Sequence, residues 1–179
     1  MKRLLLLLFI MLIGCQLDSG KTIDREKFTF KIGTDTQLFF KNMRQSYYDF
    51  EANEAAGLKT YRFAKRLKSD SLPLLNLAIV INYLDDEAYL LLEANEVVGE
   101  LPIHIISTDT AQVSKILMLE EMNRESMLNF IADIYEGILA KNQYQIKIDS
   151  TAQPILVSHE EREAFRITVS DYFRLTRVY

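Results

Sequence analysis

The chain has 179 residues, 49% of them hydrophobic, with 21 basic side chains against 25 acidic ones and a formal charge of -4. That is enough apolar material for one core and too little length for two comfortable domains. The acidic balance disfavours nucleic acid as a partner, because a phosphate backbone calls for a concentrated basic surface.

The first element is a leader. Lys2 and Arg3 precede an uninterrupted apolar run from Leu4 to Ile13, which ends at Gly14 and Cys15. As a helix at about 1.5 Å per residue, this run covers only about half of a roughly 30 Å bilayer core, so it is too short to span. A basic start, a short apolar middle and a small residue at the end form the pattern of an export signal removed after translocation. Leu12-Ile13-Gly14-Cys15 resembles the lipobox of bacterial lipoprotein precursors, a resemblance confined to residues 1–15. It implies that the Cys15 sulfur receives a diacylglycerol, that cleavage falls just before Cys15, and that the new amine is acylated as well. Cys15 is the sole cysteine, so no intramolecular disulfide can form. Two or three acyl chains hold far more firmly than one, since each buried methylene contributes about 0.8 kcal/mol. Residues 1–14 are therefore expected to be a cleaved signal peptide, residues 15–27 a lipid-anchored tether and residues 28–179 the folded domain. Gln16 lacks the acidic retention signal of some lipoproteins, and the resemblance then favours the outer membrane, with the body facing the periplasm or the cell surface.

Lys27 to Ile32 alternates strictly, placing Phe28, Phe30 and Ile32 on one face of a predicted strand that Gly33 ends. Thr34 with Gln37 matches a capping box and predicts a helix from Asp35 to about Asn53. Its stripe of Phe39, Met43, Tyr47 and Phe50 is expected to face the core, leaving Tyr48 on the side open to solvent. Tyr61 to Lys68 alternates as a strand with a basic face, and the cluster Lys59, Arg62, Lys65, Arg66 and Lys68 reads as solvated surface rather than a polyanion site. Leu75–Tyr83 and Tyr89–Glu93 are the clearest hairpin, rich in strand-forming residues around an acidic turn. Pro102 to Ile106 predicts a short strand, whereas residues 110–121 fit either a buried strand or the start of a helix. Asn123 is placed to cap a helix to about Lys141, with Met127, Leu128, Ile131, Ile134, Tyr135 and Ile138 on one face. Tyr144, Ile146 and Ile148 alternate as another strand, and Pro154 to Val157 is extended. Ser158 with Glu161 forms a second capping box, opening a terminal helix with Phe165, Val169, Tyr172 and Phe173 on one side. Neighbouring strands in the middle with helices around them predict a single α+β domain, with a largely antiparallel sheet and about three packed helices.

Catalytic constellations are scarce. His104 sits among isoleucines as a strand histidine, and His159 falls in the first turn of the terminal helix. No Gly-x-Ser-x-Gly elbow, phosphate-cradling glycine loop or metal-ligand spacing occurs, so no catalytic residue, metal ligand or cofactor is assigned. Asp85, Asp86 and Glu87 lack the further spaced acids and glycine of a calcium loop and read as a solvated turn. The expected function is thus a lipid-anchored bacterial envelope protein, non-catalytic, whose body binds another envelope protein. The alternatives are a small-molecule, lipid or glycan-binding lipoprotein, and a hydrolase built around His104 or His159.

Overall fold

Alternation in the central hairpin organises the structure, a computed structural model that describes residues 23–179. Strands β3 (Leu75–Asn82) and β4 (Glu87–Ala94) pair antiparallel, with Leu77 opposite Leu92 and Ile79 opposite Leu90 on the buried face. Outside β3 lie β2 (Leu58–Phe63) and then β1 (Tyr48–Asn53), giving a four-stranded antiparallel sheet in the order β1-β2-β3-β4. Gly57 makes the β1–β2 connection possible: it adopts φ 67°, and a Cβ there would fall 2.5 Å from the Leu84 side chain.

A second four-stranded antiparallel sheet comes next in the chain, formed by β5 (Ile103–Thr108), β6 (Ser114–Leu119), β7 (Gln143–Ile148) and β8 (Thr151–Ile155) in the order β6-β5-β7-β8. The ambiguous stretch 110–121 is therefore a strand. The Asp109 carboxylate accepts from the backbone N–H groups of Ala111 and Val113, turning the chain so that Leu117 pairs with Ile105 inside the molecule.

Besides α1 (Thr34–Phe39), two long helices join the sheets into one core: α2 (Arg124–Leu139) and α3 (His159–Leu175). Helix α2 packs against β4 of one sheet and β6 of the other, while α3 packs on α2 and against β2, β3 and β4. Both caps lie where the sequence puts them. Asn123 accepts from the Ser126 N–H, and Ser158 and Glu161 bond reciprocally. The predicted faces of both helices are buried, and Phe173 is the hub, its ring 5.4–5.9 Å from those of Phe28, Tyr135, Tyr172 and Tyr179. Gly137 lets β7 approach α2, since a Cβ would stand 2.2 Å from the Tyr144 hydroxyl, which donates to the Ile134 carbonyl at 2.7 Å. The protein is a single α+β domain, and among the described residues it has three helices and antiparallel strands divided between two sheets rather than gathered in one.

Three local expectations need correction. Phe28, Phe30 and Ile32 do pack against the core, but their segment joins the sheet through a single bridge, Lys31 to Glu87, instead of forming a full strand. The basic strand starts earlier and ends sooner, at Leu58–Phe63, because the Arg66 N–H turns back to the Phe63 carbonyl at 3.1 Å. The largest change is in the helix expected over Asp35–Asn53. Helix α1 lasts six residues, widens into a π turn over Phe40–Arg44, tightens over Gln45–Tyr47, and becomes strand β1 at Tyr48.

Candidate functional site

That early change of structure creates the most distinctive surface of the molecule. In the π turn the Gln45 N–H reaches back to the Phe40 carbonyl, and the inward-facing positions advance by steps of four, from buried Phe40 through the half-buried, ion-paired Arg44 to buried Tyr48. Phe40 and Tyr48 are 3% and 7% exposed, so Tyr48 is core, contrary to the sequence reading. The stripe expected inside is exposed instead, with Phe39, Met43, Tyr47 and Phe50 each 47–58% exposed, and the neighbouring Leu38, outside that stripe, is 57% exposed.

What fixes this register lies far along the chain. Asp171, on the buried face of α3, is 2% exposed; both its oxygens accept from the Arg44 Nε at 2.9 Å, and Oδ2 accepts from the Tyr48 hydroxyl at 2.7 Å. Such a carboxylate is stable inside only because it is paired and hydrogen-bonded. Burial, reinforced by the Asp171 charge, raises the Tyr48 phenol well above its ordinary pKa. Reading the sequence for stripes missed Asp171, Arg44 and Tyr48. The available signal was an acid interrupting the apolar face between Val169 and Tyr172.

Two clefts flank the exposed ridge. One, of about 540 Å³, opens between α1 and the inner face of the first sheet, and the other, of about 560 Å³, lies between Tyr47, Phe63, Lys65 and the His159 end of α3. The basic cluster is largely neutralised at home. Arg62 binds Glu51 and Glu93, and Arg66 binds Asp49, whose carboxyl is held below the usual range by that guanidinium. Lys68 shares Asp49 at 3.5 Å.

The histidines lie apart in the fold. His104 is on the outer face of the second sheet between Met118 and Lys147, with its Nε2 buried and without a hydrogen-bond partner, while His159 opens α3. The acidic turn is spread over different partners: Asp85 accepts from Asn82, and Glu87 accepts from Tyr89 and meets Lys31 and Arg124. Among the described residues no group of three or more His, Cys, Asp or Glu side chains is placed to hold a metal ion. Leu12, Ile13, Gly14 and Cys15 lie outside the described residues. Comparison with protein families, characterised proteins and solved structures gives no match, and the functional reading rests on the chain's own chemistry.

Proposed function

We propose that the chain is a lipid-anchored bacterial envelope protein, held through Cys15 to a membrane, with the outer membrane favoured, and that its body binds another envelope protein without catalysing a reaction. The anchor is supported by Leu12-Ile13-Gly14-Cys15 and the short apolar leader before it. The observation that carries the binding role is the ridge Leu38, Phe39, Met43, Tyr47 and Phe50. Single exposed apolar residues are ordinary, but five large ones within thirteen residues, on a segment locked by the Asp171 cluster, concentrate exposed apolar surface in the way protein interfaces do. Aromatic and Met side chains also suit the centre of such an interface.

A photo-crosslinking residue placed at Met43 of the membrane-bound protein tests this role. It should give a discrete protein adduct in intact cells, and the same residue at Glu96, in an exposed turn, should not. No adduct at Met43, or the same adducts at both positions, would overturn the reading. For the anchor, Cys15→Ser should abolish incorporation of a fatty-acid label and leave uncleaved precursor; undiminished labelling would refute lipid attachment at this residue.

A further inference from the structure

We infer that the cleft between α1 and the first sheet is a binding site for an anionic amphiphile, an acyl chain ending in a negatively charged head. The inference goes beyond protein docking, and it begins with an out-of-place lysine. Along β2, Lys59, Tyr61 and Phe63 point to one face, because strand side chains alternate, and this is the inner face, where Tyr61 opposes Ile79 and Lys59 opposes Ile81. A lysine on an apolar face must find water or a counter-charge for its ammonium.

Among the described residues Lys59 meets no carboxylate at ion-pair distance. Its Nζ lies 5.1 Å from the centre of the Tyr83 ring. Arg62, on the opposite face of the same strand, has Glu51 at 2.8 Å and Glu93 at 2.7 Å. Lys59 is tolerated because α1 only partly roofs this end of the sheet. The resulting cleft of about 540 Å³ is walled by Phe40, Phe50, Tyr61 and Ile81, with Lys41 and Lys59 among its lining and no acidic one among the described residues. Its aromatic wall is continuous, with the Tyr61 ring 5.2 Å from both Phe40 and Phe50. In a chain with more acidic than basic side chains, this is a local reversal of charge beside an apolar surface. The volume falls within the roughly 300–1,000 Å³ of small-molecule sites, and the chemistry asks for an apolar body with a negative end. A free fatty acid and an anionic membrane lipid share that chemistry.

Photoaffinity labelling of the full lipidated protein in phosphatidylcholine vesicles separates these sources. Three diazirine probes with the same alkyl chain would be used, a carboxylate, an alcohol and an ammonium, together with a diazirine phosphatidylglycerol. Peptide mapping should place adducts of the carboxylate or the phosphatidylglycerol in residues 38–61, in excess over the alcohol and ammonium probes and competed by unlabelled laurate. Labelling by the carboxylate identifies a fatty-acid site, and labelling by phosphatidylglycerol alone identifies a membrane-lipid site. Reversing a cleft charge in Lys59→Glu should cut labelling by about fivefold or more, and Lys59→Arg should restore it. Lys41→Glu, at an exposed position, gives the same reading if Lys59→Glu fails to fold. The inference is wrong if no adducts map to residues 38–61, if the ammonium probe labels equally, or if folded charge-reversal variants label as the parent does. The Met43 protein crosslink would be unaffected by that failure.

Discussion

Two segments, residues 159–175 and 35–53, carry aromatic stripes at helical spacing, and the structure treats them oppositely. Helix α3 keeps its stripe inside, with Phe165, Val169, Tyr172 and Phe173 all buried, whereas the earlier segment leaves Phe39, Met43, Tyr47 and Phe50 about half exposed. The difference begins with length and ends with partners. Helix α3 runs for seventeen residues from a reciprocal cap and lies against α2 and the first sheet, so one face is covered along its course. Helix α1 lasts six residues before its π turn, and from Tyr48 the chain pairs as a strand with β2, Phe50 opposite Tyr61. Helical spacing thus shows which residues share a face. Which face is buried depends on a contact elsewhere, here Asp171, 127 positions after Arg44.

The largest expected effect sharpens this contrast in the core. Phe173→Ala removes the ring around which four other aromatics gather and should destabilise the protein by about 4 kcal/mol, read as a lowered urea midpoint. A parental midpoint would mean that the α3 stripe is not the core it is described as. Next is Asp171→Asn, which leaves the Arg44 guanidinium without its counter-charge. The expected loss is about 3 kcal/mol, at the lower end for a broken buried pair because Arg44 keeps some contact with water. A change no larger than that of a surface substitution would show that Asp171 does not set the register of residues 40–48.

The elements that the sequence discloses are those whose signals are local. The β3–β4 hairpin declares itself through Leu77, Ile79, Leu90 and Leu92, and α2 and α3 through the caps at Asn123 and Ser158 together with their apolar faces. Residues 110–121 needed a partner strand, because Ile116 to Leu119 is apolar throughout and only pairing with β5 sends Leu117 and Leu119 inward and Ile116 and Met118 outward. The candidate site was legible in composition and misread in direction. Phe39, Met43, Tyr47 and Phe50 stand out as a group and Leu38 does not, and their exposure depends on Arg44 and Tyr48 reaching a carboxylate that no local pattern joins to them.

A smaller effect should appear in alkaline solution. Tyr48, Tyr144 and Tyr172 have their phenol pKa values raised, chiefly by burial. A raised folded-state pKa adds stability that is complete below the unfolded-chain value of about 10 and is lost as pH rises through the folded value. The decline should therefore begin as pH passes about 10, where the unfolded chain releases protons that the folded one retains. Tyr48→Phe starts from lower stability, having lost its hydrogen bond to Asp171, but should decline less between pH 10 and 11, by about 1 kcal/mol, because Phe has no proton to release. Parallel curves for parent and variant would mean that the Tyr48 phenol is not held protonated against Asp171.

The smallest expected change in stability is the most informative about function. Phe39→Ser and Met43→Ser remove large apolar groups from positions 47% and 58% exposed, so each should shift the unfolding free energy by no more than about 0.5 kcal/mol. Had the stripe been buried as its spacing suggests, the same changes would cost several times more, since a core cavity loses both the transfer energy and the packing of its walls. With the fold unchanged, the variants isolate what the side chains do at the surface. Phe39→Ser should weaken the protein adduct formed from a crosslinker at Met43, because its ring belongs to the same apolar ridge. A destabilisation of about 2 kcal/mol or more would instead place the ridge in the core and remove the surface on which the binding role depends.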